Sequence, residues 1–162
     1  MKLVIAGVSG VGKTTVGCEV ARQLGVGFLD GDDFHSPESV AKMASGVALG
    51  DDDREKWLTA LGERLAGSAE SAVLACSALK RAYRDRLRQL CPGIVFILLK
   101  ADEDLIRERL DERVDHFMPT SLLESQLAIL EEGADVSIVG NLGTIEEVAA
   151  DCIRRARMRP GT

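Results

Sequence analysis

The stretch Gly7-Val8-Ser9-Gly10-Val11-Gly12-Lys13-Thr14, followed by Thr15, has the spacing G-x-x-x-x-G-K-[ST]. Ahead of it, the apolar run Leu3-Val4-Ile5-Ala6 reads as a short buried strand. Behind it, Val16, Val20 and Leu24 recur at helical spacing, so the loop joins a strand to a helix. At such a junction the spacing has a chemical meaning. Glycines let the backbone wrap closely around an anion, and consecutive N–H groups form a nest with the helix N-terminus. Gly7 through Thr15 is therefore the expected triphosphate cradle. Lys13 would reach the β- and γ-phosphates, and the Thr14 hydroxyl would ligate Mg²⁺. A Gly-rich turn with a chance lysine is the competing reading, and the flanking strand and helix count against it.

The rest of the composition narrows the class. A chain of 162 residues suits one domain, spanning 1–162, and 46% hydrophobic with 28% charged residues is the balance of an ordinary soluble globule. A net charge of −6 argues against a nucleic-acid partner, since phosphate backbones demand a basic face. There is no apolar run of 18 residues, and Met1-Lys2 leads straight into the first strand, so neither a membrane span nor a signal peptide is expected. Cys18, Cys76, Cys91 and Cys152 lack C-x-x-C spacing, and buried free thiols in a reducing compartment are expected.

Four further strands are expected at 26–30, 72–76, 94–99 and 136–139. The runs Ala72–Cys76 and Ile94–Leu99 do not alternate polar with apolar residues, which suits strands covered on both faces of a parallel sheet. Amphipathic helices lie between. Trp57, Leu58, Leu61 and Leu65 mark one, and Ile145, Val148, Ala149, Cys152 and Ile153 mark the last, with Thr144 as its N-cap. The alternation predicts a three-layer α/β sandwich around a five-stranded parallel sheet. In such folds ligands bind beyond the carboxyl ends of the strands.

Polar candidates cluster at those ends. Asp30 closes the second strand, and Gly31 allows a sharp exit that aims Asp32 into the site. Asp30 is the candidate Mg²⁺ ligand, and Asp32 the base that orients an attacking hydroxyl. A solvated acidic turn is the alternative for both. His35 is a lone histidine that fits a structural or a substrate role. Asp51, Asp52 and Asp53 suit the start of the Trp57 helix, and Arg54 just after them faces the site. After the third strand, Lys80 and Arg84 stand four apart and are expected to share a face at its exit. Arg109 and Arg113 are spaced likewise, on a helix-loop-helix lid over 107–130 whose arginines would close on the triphosphate. For Arg107, pairing with Glu108 or Glu112 competes evenly with that role. The base-contacting loop is expected near Gly140-Asn141-Leu142-Gly143.

Several longer strings resemble one family: GVSGVGKTT, FLDGDDFH, KMASGVAL with DDDREKWL, VLACSALKRAYRDRLR, and RVDHFMP with LLESQ behind it. They are similar to the gluconate kinases (gluconokinases), within the nucleoside-monophosphate-kinase-like P-loop fold, over residues 3 to 150. The resemblance implies ATP- and Mg²⁺-dependent phosphorylation of D-gluconate at its 6-hydroxyl, in cytoplasmic homodimers. It implies substrate contacts from Asp32, His35, Arg54, Lys80, Arg84 and His116, and catalytic roles for Lys13, Asp32, Arg109 and Arg113. Gly50 and Asp115 depart from the family's usual small polar residue and glycine. Adenylylsulfate and shikimate kinases are the alternatives within the fold, although Cys76-Ser77-Ala78-Leu79-Lys80 stands where shikimate kinases carry a glycine-rich run. A GTP-dependent switch would need N-K-x-D, and Asn141, the sole asparagine, has no lysine after it.

Overall fold

The computed structural model describes residues 1–112 and 121–158. Arg113, Asp115 and His116 lie outside them, so the expectations on these residues do not enter the geometry below.

Five parallel strands form one sheet: β1 (Lys2–Ala6), β2 (Gly27–Asp30), β3 (Ala72–Ala75), β4 (Ile94–Lys100) and β5 (Ser137–Gly140). Their order across the sheet is β2-β3-β1-β4-β5, with Ile5 in register with both Ala75 and Ile97. All five expected strands are present, with boundaries shifted by one residue or so. The helices are α1 (Lys13–Leu24), α2 (Pro37–Ala44), α3 (Asp51–Ala66), α4 (Arg81–Leu90), α5 (Glu103–Glu112), α6 (Ser121–Ile129) and α7 (Ile145–Met158). A short 3₁₀ turn, Gly31–Phe34, leads out of β2.

The central strand shows why three layers form. Leu3 and Ile5 project into one apolar cluster with Val16 and Val20 of α1 and Cys152 of α7. Val4 and Ala6 project into a second, with Leu58 and Leu61 of α3 and Leu87 of α4. A period-two strand whose faces are both buried must be apolar along its buried length, which is how Leu3, Val4, Ile5 and Ala6 of β1 read. Capping chemistry sets the helix starts. The Thr144 hydroxyl accepts from Glu147 N–H, and Glu147 accepts from Thr144 N–H, a reciprocal capping box on α7. At Gly50 the Asp53 carboxylate accepts the Gly50 N–H at 3.2 Å, so α3 is capped from its third residue although glycine has no side chain to offer.

The four cysteines are free; Cys76, Cys91 and Cys152 are buried as expected, but Cys18 is exposed on α1. Burial pushes the thiols of Cys76 and Cys152 up to about 12, so both stay protonated and inert.

Candidate active site

The phosphate loop needs its glycines where the backbone turns left-handed. Gly12 has φ of 101°, and a Cβ there would lie 2.6 Å from the Asn141 amide nitrogen. Asn141 in turn donates to the Val11 carbonyl at 2.8 Å, so the segment after β5 braces the loop from outside. Lys13 lies across the loop, its ammonium donating to the Val8 carbonyl at 2.9 Å.

The two residues expected to hold a divalent ion stand together. The Thr14 hydroxyl donates to Asp30 Oδ2 at 3.1 Å, while Asp30 Oδ1 accepts the Asp32 N–H at 3.0 Å. Asp30 is thereby held at the strand end as the cap of the 3₁₀ turn. A hydroxyl and a carboxylate fit Mg²⁺, which takes few protein oxygens and fills its shell with phosphate and water. Among the described residues no three His, Cys, Asp or Glu side chains gather, so no all-protein metal cage competes. Gly31 is required here as well: a Cβ would sit 2.7 Å from the Ala75 carbonyl.

Two clefts open at the carboxyl ends of the strands. One lies along the phosphate loop and is lined by Thr14, Asp30, Lys13 and Asp32. The other runs from Lys13 and Asp32 to His35, Arg54, Trp57 and Gln126. Lys13, Asp32 and Ser9 belong to both. In the second cleft the His35 ring stacks on Trp57 with centroids 4.4 Å apart, and Trp57 Nε1 donates to the Gly31 carbonyl at 2.7 Å. Burial lowers the His35 pKa and keeps the ring neutral near pH 7, although Asp32 Oδ1, 3.9 Å away, pulls the other way. Arg54 is fixed by its bond to the Leu49 carbonyl at 3.3 Å and lies over the Tyr83 ring at 5.4 Å. Lys80 shares that ring, at 5.5 Å, and stands 3.7 Å from Asp51.

Arg84 is the correction. It was expected in the acceptor pocket on the face of Lys80, yet its side chain is 1% exposed. All of its N–H groups are taken by protein: Nε and Nη2 by the Asp135 carboxylate at 2.7 and 3.2 Å, Nη1 by the Ala78 and Leu79 carbonyls, and Nη2 by the Glu131 carbonyl. No donor remains for a substrate. Burial would raise the Asp135 carboxyl, and the Arg84 and Arg88 guanidiniums outweigh it, leaving that carboxyl below its ordinary value. Ala78, which Arg84 holds, has φ of 39°, a strained conformation for a residue with a Cβ. Arg84 is thus the clasp of the corner after β3.

Arg109 does reach the phosphate loop, with Nη1 donating to the Gly10 carbonyl at 3.4 Å. Arg107 instead pairs with Glu103 at 2.7 Å and Glu124 at 3.3 Å, on the surface. Trp57 and Gln126 are cleft residues that the sequence alone did not single out. Trp57 fitted the apolar stripe of α3. Gln126 carried a usable signal, since it falls on the face of α6 shared by the buried Leu122 and Leu123.

A family model described as an AAA domain matches residues 3–132. The thermoresistant gluconokinase of Escherichia coli (strain K12) is 47% identical over 136 residues, which are 82% of this chain and 78% of that protein. The crystal structure of a gluconokinase from Sinorhizobium meliloti 1021 superposes with a TM-score of 0.86 at 42% identity, covering 97% of this chain and 91% of that one. The Mycobacterium tuberculosis APS kinase CysC shares the fold alone, with a TM-score of 0.69 at 14% identity over 98% of this chain and 97% of that one. With its phosphate loop, its acidic turn after β2 and this kinship, the chain belongs to the gluconokinase family of P-loop kinases.

Proposed function

We propose that the protein transfers the γ-phosphoryl group of ATP to the 6-hydroxyl of D-gluconate, giving 6-phospho-D-gluconate and ADP. The observation that carries this reading is that Lys13 and Asp32 line both clefts. A phosphoryl group on the loop and a hydroxyl in the neighbouring cleft would meet between them. Family kinship identifies the acceptor.

In this reading Asp32 accepts the hydroxyl's hydrogen bond and takes its proton as the new O–P bond forms and the bond to the bridging β-phosphate oxygen breaks. Phosphoryl transfer has a loose transition state, so orientation and charge compensation dominate. Lys13 and Arg109 supply that charge at the loop, and Thr14 and Asp30 would hold Mg²⁺, which when bound would add positive charge beside the transferring group. The acceptor carboxylate is met by Arg54, with Lys80 one ring away, and His35 on Trp57 forms a flat neutral wall. Arg113 and His116 keep the roles implied by the resemblance. In the lid expected over 107–130, Arg109 supplies the contact with the phosphate loop. A homodimeric, cytoplasmic enzyme is the assignment that goes with the family. Among the described residues no helix is long and apolar enough to cross a membrane.

An ADP-release assay over a panel of acceptors tests the proposal. Gluconate is expected to turn over efficiently, with at most a trace from glucose or sorbitol, because a neutral analogue leaves Arg54 in the cleft without the carboxylate. Shikimate and adenylylsulfate are expected to be inert. Comparable turnover of glucose would refute the carboxylate assignment, and preference for shikimate or adenylylsulfate would move the enzyme to the rival kinase.

A further inference from the structure

Gln126 stands where the helical pattern demands an apolar side chain. It lies on the buried face of α6 with Leu122 and Leu123, and is itself 7% exposed. Its Oε1 accepts the Ser9 N–H at 2.7 Å. A backbone donor needs an acceptor, so this bond also decides which end of the amide is oxygen. Ser9 belongs to the phosphate loop, whose N–H groups otherwise serve anions. Both residues line the acceptor cleft beside Lys13 and Asp32. One side chain therefore runs from the wall of the acceptor cleft to the loop that holds the phosphates.

Each end of this tie is braced. Leu123 is fully buried in the core cluster beneath α1 and α7. Just beyond α6, Glu131 N–H donates to the Leu79 carbonyl at 2.9 Å, and the Glu131 carbonyl receives Arg84. At the loop, Gly7 N–H donates to the Ser77 carbonyl at 3.2 Å. The corner after β3, the helix α6 and the phosphate loop form one hydrogen-bonded frame, and Gln126 closes it.

We propose that Gln126 is a positioning residue for phosphoryl transfer, locking the acceptor-facing edge of the phosphate loop to the wall of the acceptor cleft. The inference rests on the kinase reading above. It assigns the distance between nucleophile and phosphoryl group to the protein frame, with Ser9 N–H held by the frame and not by an anion. Ground-state binding of either substrate uses other groups, so loss of the tie falls on kcat. A shift of about 1 Å in the alignment is enough for roughly a 10²-fold loss.

Gln126→Leu and Gln126→Glu test this in the full chain. For Gln126→Leu, folded by circular dichroism, kcat is expected to fall about 10²-fold while both KM values stay within about threefold. The Ser9 amide, followed by NMR hydrogen exchange, should exchange at least about tenfold faster than in the native protein once its acceptor is gone. Gln126→Glu keeps an acceptor but adds a charge. Among the described residues Lys13, Asp32, His35 and Arg54 line the same cleft. Its kcat relative to the native enzyme should rise as pH falls and the new carboxyl protonates, whereas the Gln126→Leu ratio stays flat. A Gln126→Leu enzyme with kcat within about twofold of native, a loss confined to KM, or unchanged Ser9 exchange would overturn the proposal. If Gln126→Leu does not fold, Gln126→Met takes its place, with the same fall in kcat and the same faster Ser9 exchange expected, and native values of either counting against. Ser9 exchange needs no acceptor substrate, so an error in the gluconate assignment is distinguishable from an error here.

Discussion

The phosphate loop and the corner after β3 both place cations beyond a strand end, and the two regions use them oppositely. Lys13 sits in a loop whose own backbone defines its task, on a chain segment of eight contiguous residues. Arg84 is bound by Asp135, 51 residues away, and by the Glu131 carbonyl, 47 residues away. The first cation lines two clefts and the second is buried in protein. A charge near a site is thus assigned by what saturates its hydrogen bonds, and only secondarily by its distance from a strand end.

The sharpest way to break this contrast is to remove each cation in turn. Lys13→Ala is expected to lower turnover by roughly 10³-fold or more with the fold intact, since charge at the transferring group dominates such transition states. Near-native kcat in a folded Lys13→Ala protein would end the assignment. Arg84→Ala should do the reverse. Asp135 would keep only Arg88, at 3.3 Å, and the Ala78, Leu79 and Glu131 carbonyls would lose their donor, so the unfolding free energy is expected to fall by about 3 kcal/mol in urea titration. The KM for gluconate should change no more than that for ATP. A selective rise in the gluconate KM would return Arg84 to the pocket.

The two carboxylates after β2 sharpen the phosphate side. Asp32→Asn is expected to reduce kcat by about 10²-fold while calorimetry shows ATP·Mg²⁺ binding nearly intact. Asp30→Asn should instead weaken the dependence on Mg²⁺ itself. Equal losses of nucleotide affinity in the two variants would show that the division of labour is wrong.

Smaller effects are expected on the acceptor side. Arg54→Ala should raise the KM for gluconate roughly 10-fold to 100-fold, the range of one charge-assisted hydrogen bond. Lys80→Ala should raise it less, because Lys80 shares the Tyr83 ring with Arg54 and stands 3.7 Å from Asp51, outside the cleft lining. Kinetics with equal KM values for native and Arg54→Ala enzymes would leave the carboxylate without its partner. The smallest effect concerns His35, whose burial holds its folded pKa below the ordinary 6.5. Between that lowered value and 6.5 the unfolded chain binds more protons, so stability rises with pH there and is lost as pH falls from 6.5. His35→Phe keeps a ring on Trp57 and should flatten the urea midpoint between pH 7 and 5, by comparison with the native protein. An unchanged slope would place the titration elsewhere.

What could be read without the fold is what local chemistry dictates. The G-x-x-x-x-G-K-T spacing, the strand before it and the helix after it lie within one contiguous segment, so their hydrogen-bond nest is written in order along the chain. The non-alternating runs of β3 and β4 declared burial on both faces, and hence parallel strands under two helical layers. Asp30 and Thr14 were legible for the same reason, each standing at a recognisable element end. Tertiary structure alone decided the strand order β2-β3-β1-β4-β5, which brings the exits of β1 and β3 side by side. It also decided that Arg84 clasps Asp135 while Arg54 stays at the cleft, and that Gln126 meets Ser9 across 117 residues. Hydrogen bonds and ion pairs act over a few ångströms of space, whatever the separation along the chain. A polar residue's task stays undetermined in sequence until folding chooses its neighbours.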